Sequence, residues 1–134
     1  MFKRIKAFSL IELLIVLTIT GILAILGMSA YQSYVLRSYR TEAVTFMLNL
    51  ANSQEQYYGN HGAYSDNFAN LESTADALMP RYQLAIVLSE DAQKYEIIAD
   101  AYGAQLEDVK CLHLSLNHVN QRNNNAQASQ HCWQ

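Results

Sequence analysis

Glu12 opens a run, Leu13 to Leu36, in which the chain carries no charged residue. An ionised carboxylate inside a bilayer costs about 2.5–3.5 kcal/mol on insertion scales, so it requires a partner of opposite charge. After Glu12 the next basic residue is Arg37, far along the same helix. The helix macrodipole contributes under about 1 kcal/mol and does not close the gap. A positive amine would close it, if the chain were cut just before Phe8 and that new terminus, or a neighbour's, met Glu12. The chemistry these residues point to is a processing cut and a buried ion pair.

Other reactive chemistry is not marked out. The chain has no Gly-rich phosphate loop, no HExxH helix and no GxSxG elbow. Twelve acidic residues supply carboxylate pairs, but no spacing singles out a pair, and a solvated face explains them. We therefore expect no enzyme and no cofactor. His113, His118 and His131 lie near Cys111 and Cys132, yet CLHLSLNHV matches no compact zinc spacing, so no metal is expected. Beyond the apolar run, Arg37, Arg40, Arg81, Lys94, Lys110 and Arg122 face eleven acids. With a sequence pI near 5.7, this balance places DNA low among the expected partners, because phosphate binding needs a basic stripe.

The elements that hold these residues follow from pattern and length. The 134 residues allow one domain, and the 51% of hydrophobic residues are concentrated at the N-terminus. The uncharged run is 24 residues, enough at about 1.5 Å per residue to span a hydrocarbon core of about 30 Å. Lys3, Arg4 and Lys6 precede it without an acid, which holds that end in the cytoplasm and sends the rest outside. An ordinary signal peptide shares this layout, with cleavage near Ser29 or Ala30, but leaves Glu12 without a purpose. Past Arg37, residues Tyr39, Ala43, Phe46, Met47, Leu50, Ala51, Gln54, Tyr57 and Tyr58 recur in steps of three and four. One helix over 8–58 is predicted, ended by Gly59-Asn60-His61-Gly62, with Phe46, Met47 and the two tyrosines as core.

A loop is expected over 63–80, with a short helical turn near 70–78. Three strands follow: Tyr82 to Leu88 and Lys94 to Tyr102 around a turn at Glu90–Gln93, then Cys111 to Asn117 with Leu112, Leu114 and Leu116 on its apolar face. The expected fold class is α+β, an antiparallel sheet laid on the amphipathic half of the long helix. The Asn/Gln-rich stretch from Asn117 to Gln130 is expected as an exposed loop.

Residues 6–14, KAFSLIELL, resemble the processing signal of type IV prepilins and type II secretion pseudopilins. The resemblance implies a leader, residues 1–7, removed by a membrane prepilin peptidase between Ala7 and Phe8, with Phe8 then N-methylated. It implies that Glu12 pairs with an N-terminal amine inside a filament. Ala7 stands where the family usually has Gly, and Ser29 where many members have Pro. Segment 8–36 would be the transmembrane and filament-core helix, and 37–134 the pilin head, periplasmic and then on an extracellular pilus of a Gram-negative bacterium. The implied partners are other pilin subunits, the peptidase and methyltransferase, and the inner-membrane assembly machinery.

Cys111 and Cys132 are the two cysteines and both fall on the oxidising side, where a bridge would close a loop of 20 residues. Such a loop resembles the C-terminal disulfide region of type IVa pilins, and Cys132-Trp133 is similar to the ending of PilE-like minor pilins. The stretch 39–64, YRTEAVTFMLNLANSQEQYYGNHGAY, is similar to the same subgroup. The resulting expectation is a structural subunit of a type IV pilus, a minor pilin that helps initiate or cap assembly. The alternatives are a DNA- or surface-binding minor pilin, a type II secretion pseudopilin and a major pilin.

Overall fold

The computed structural model describes residues 8–71, 78–123 and 130–133. It contains one long helix, α1 (Leu10–His61), then β1 (Leu78–Met79), β2 (Tyr82–Leu88), β3 (Tyr95–Ala101) and β4 (His113–Asn117). The chain divides into two compact units, Met1–Val35 and Leu36–Gln134.

The first unit is the stem half of α1. It is long and apolar enough to cross a membrane. Its two threonine hydroxyls are satisfied within the helix: Thr18 donates to the Ile15 carbonyl (2.8 Å) and Thr20 to that of Val16 (2.7 Å). This removes the cost of carrying a free O–H into an apolar surrounding. The helix passes unbroken through Gly21, Gly27 and Ser29; their weak helix preference is no barrier where no Pro removes a backbone donor.

The second unit is the head. Its sheet is antiparallel throughout, in the order β1-β2-β3-β4. Tyr82 to Leu88 pair with Ala101 to Tyr95, and Ile97 and Ala99 face Leu116 and Leu114. The period-two alternation turns Tyr82, Leu84, Tyr95, Ile97, Ala99, Leu114 and Leu116 inward, where they form one core with Ala43, Val44, Met47 and Leu50 of α1. At about 25 cal/mol per Å², burying a side chain as large as Met47 or Ile97 is worth about 1.5–3 kcal/mol.

Five sequence expectations shift. The helix runs to His61, because the His61 ring stacks on Tyr57 (centroids 3.9 Å) and the left-handed turn falls on Gly62 (φ 72°), not Gly59. The Gly62 N–H then bonds the Tyr58 carbonyl at 2.8 Å, a helix ending that glycine tolerates without strain. Phe46, Tyr57 and Tyr58 are half-buried at the core's margin, and Met47 is fully buried. Leu78–Met79 pairs with Tyr82–Gln83 as a two-residue strand in place of the end of the predicted loop. Leu112 precedes β4 and is exposed, not on its inner face. The helical turn in the 63–80 connection is a 3-10 turn at Phe68–Leu71; the rest of its predicted span, 72–77, lies outside the described residues.

The Asn/Gln-rich stretch is ordered where it is described. Asn117 Oδ1 accepts from the N–H groups of Val119 (3.1 Å) and Gln121 (2.9 Å), and Arg122 bridges back to Leu116. The chain thereby covers the otherwise open edge of β4.

Candidate functional site

The residues singled out by chemistry fall into two groups. In the stem, Glu12 lies in the first turn of α1, where its N–H bonds the Ser9 carbonyl at 3.1 Å. Its side chain is exposed, and no cation pairs with it among the described residues. Phe8, 80% exposed, precedes the helix by two residues. Ala7 lies outside the described residues. The expected cut would therefore free an amine one helical turn from the carboxylate.

In the head, Cys111 and Cys132 are joined, with Cα atoms 5.7 Å apart and both residues buried. His131 Nε2 lies 3.9 Å from Cys111 Sγ and 4.0 Å from Cys132 Sγ. The bridge holds both sulfurs, so they are not thiolates and do not form a ligand set with the imidazole. The other histidines lie elsewhere. His113 meets Asp100 across the β3–β4 pair at 2.5 Å, and His118 packs edge-on to Tyr95.

The residues in front of the disulfide carry a network that the sequence did not mark. Arg40 Nη1 donates to Asp108 Oδ2 at 2.8 Å and lies 3.2 Å from Cys111 Sγ. Gln105, fully buried, donates to the Leu36 carbonyl (3.0 Å) and to the Tyr82 hydroxyl (3.2 Å). Tyr82 in turn donates to the Cys111 carbonyl. Burial pushes the Tyr82 hydroxyl above the ordinary tyrosine range, against the opposing hydrogen bond from Gln105. This network ties α1, β2 and the disulfide into one piece.

At the other end of the head, the β2–β3 turn is bound to the end of α1. Tyr58 donates to Gln93 Oε1 (2.7 Å), Gln93 Nε2 donates to the Gly62 carbonyl (3.0 Å), and the Tyr64 N–H to the Ala92 carbonyl (2.9 Å). Within that turn, the Ser89 hydroxyl and the Gln93 N–H hold the Asp91 carboxyl below its usual range. Between the helix and the β4 end lies a groove of about 410 Å³, lined among others by Leu48, Asn52, Glu55, Tyr95, His118 and Asn120. Among the described residues its lining includes no Lys or Arg.

The head's cations are partly engaged. Arg40 is paired, while Arg81 lies over the Tyr39 ring (4.3 Å) and Arg122 over the Trp133 ring (5.4 Å). A guanidinium laid on a ring keeps its N–H edge for other acceptors.

Comparison with known proteins places this geometry. The fold is that of a type IV pilin: the high-resolution structure of a type IV pilin from Shewanella oneidensis superposes with a TM-score of 0.55 at 22% identity, covering 72% of this chain and 99% of that one. Residues 2–28 match the prokaryotic N-terminal methylation motif, and residues 29–115 match the family described as type IV minor pilin ComP, DNA uptake sequence receptor. The chain belongs to this type IV pilin family, in the branch of the minor pilin ComP. It is also similar to the type IV major pilin protein PilE1 of Neisseria gonorrhoeae, 30% identical over 106 residues, 78% of this chain and 50% of that protein. Fimbrial protein EcpC of Eikenella corrodens is 40% identical over 89 residues, 63% of this chain and 54% of its own. The chain thus spans about half the length of these curated relatives. Pilins are filament proteins that assemble with other pilins, and the apolar stem fits a membrane-anchored, then pilus-located, subunit.

Proposed function

We infer that this chain is a minor subunit of a type IV pilus. The observation that carries the reading is the continuity of two signatures: a methylation motif over 2–28, with Glu12 in the first turn of an exposed apolar helix, runs directly into the minor pilin match over 29–115. Prepilin peptidase removes residues 1–7 between Ala7 and Phe8, and the new terminus is methylated. Segment 8–36 holds the subunit in the inner membrane with head 37–134 in the periplasm. Assembly then exchanges lipid for the apolar helices of other subunits. Glu12 sets the register of that exchange, because a carboxylate buried without its amine is heavily penalised.

The test is Glu12→Ala in the full chain, expressed in a piliated host. Membrane insertion is expected to stay intact and incorporation into sheared pili to fall below a tenth of the parent, since about 1.4 kcal/mol is already tenfold. Incorporation at the parental level refutes the register role.

A second reading is favoured by the family match: the head binds DNA during uptake. Arg122, exposed, and Arg81, half-buried, are the groups on which it rests, and salt-dependent binding by the intact chain is its test.

A further inference from the structure

The connection between β3 and β4 reverses the usual polarity of a surface loop. Two of its polar side chains turn inward, Gln105 to the Leu36 carbonyl and Tyr82 hydroxyl, and Asp108 to Arg40, while Glu107 and Lys110 stay exposed. Its apolar side chains turn outward: Leu106 is 54% exposed, Val109 72% and Leu112 37%. One exposed leucine needs no explanation. Here three apolar groups share a short segment anchored through Gln105 and Asp108 and closed by the Cys111–Cys132 bridge. Tyr102 continues the apolar surface, its hydroxyl held by the Met79 carbonyl at 2.7 Å. The result is a fixed apolar platform, not a floppy loop.

We propose that this platform docks the uncharged apolar helix of a neighbouring pilin subunit in the filament. The inference rests on the filament reading above. Three observations select the occupant. Gln105 seats the platform against Leu36, the residue at which the uncharged run ends. The large apolar side chains of that run, from Leu13 to Tyr34, are 50–74% exposed, a surface that must be covered by other subunits once it leaves lipid. The platform's rim carries Glu107 beside Lys110, so it offers no net positive field to an anionic lipid surface.

The experiment places a photoreactive benzophenone amino acid at Val109 of the full chain in a piliated host. Irradiated, sheared pili are digested, and adducts are mapped by mass spectrometry. The expected adduct is a peptide from the uncharged helix of a pilin. Adducts to lipid alone, or to no pilin helix in assembled pili, overturn the proposal. In parallel, Leu106→Ser combined with Val109→Ser should lower incorporation by more than about tenfold, because two apolar contacts are lost. The unfolding midpoint read by Trp133 fluorescence and the amount in the membrane should not change. Parental incorporation of the double variant overturns the docking role and leaves the filament reading standing. Absence of the parent chain from pili removes that reading, and the proposal with it.

Discussion

Gln54 offers the sharpest test of how the head is held together. It lies on the buried stripe of α1 with no exposed surface, and its amide forms a two-sided clamp on Ser65: Nε2 donates to the Ser65 carbonyl (2.5 Å) and Oε1 accepts from the Ser65 N–H (3.1 Å). The clamp reproduces the pairing that a strand would supply and pins the chain as it leaves the helix. Gln54→Ala leaves both backbone groups of Ser65, a residue only 6% exposed, without partners. Each orphaned buried group costs about 1–3 kcal/mol, so the variant should lose about 2–4 kcal/mol, allowing for some entry of water. Against a domain stability of about 5–15 kcal/mol this is a large fraction. Urea unfolding of the detergent-solubilised chain, followed by Trp133, the single tryptophan and 8% exposed, should show the midpoint falling by about 1–3 M. Gln54→Glu adds a signature. Its carboxylate still accepts from the Ser65 N–H but faces the Ser65 carbonyl with a second acceptor, so the protonated acid, which can donate there, is the form the fold prefers. The folded pKa is raised, and the stabilisation is present at low pH and lost as pH rises through it. A Gln54→Ala variant within about 0.5 kcal/mol of the parent, or a Gln54→Glu variant indifferent to pH, would refute the clamp.

Two further outcomes are expected. Burial pushes the hydroxyls of Tyr95 and Tyr82 upward, Tyr95 with help from Glu55, so the fold retains their protons where the unfolded chain releases them. That stability is complete below the ordinary tyrosine value of 10.0 and is lost as pH climbs above it; Tyr95→Phe should blunt the alkaline transition followed by phenolate absorbance. For the DNA reading, affinity of the intact chain should fall as salt rises, and Arg122→Ala should lower the slope of log affinity against log salt by about 1. A slope unchanged in that variant removes Arg122 from the interface, and no binding at low salt removes the reading.

What could be read from the sequence was whatever repeats locally. β2, β3 and most of β4 follow from strict alternation, because a strand buried on one face shows its period in a few residues. The length of α1 follows from an uncharged run continuing into an amphipathic one with no Pro before Pro80. Gln105 and Gln54 were not legible as structural centres. Gln105 finds its partners 69 and 23 residues away, and no local pattern signals that a polar residue will be satisfied at such range. Leu112 misled for the same reason: it continues the alternation of Leu114 and Leu116, but the ladder starts at His113, after Cys111 has been fixed by its bridge. β1 is two residues beside Pro80, too short to show a period.

Net charge argued against DNA in the sequence, while the family that matches residues 29–115 is named for a DNA uptake sequence receptor. The two are reconciled by range. At physiological salt the field of an exposed charge decays over about 8 Å, so a phosphate responds to the few groups around it and not to a sum over the head. Eleven acids against six cations is such a sum. It includes Asp108, whose charge is met by Arg40 inside the fold. The cations that matter are those whose donors face outward. The Arg81 and Arg122 guanidinium groups lie over aromatic rings, 4.3 and 5.4 Å from the centroids, contacts that restrict them before any phosphate arrives and reduce the ordering cost of binding. A head can therefore be acidic in total and still offer preorganised phosphate donors, and for that reason removing Arg122 is a stronger test than changing the overall charge.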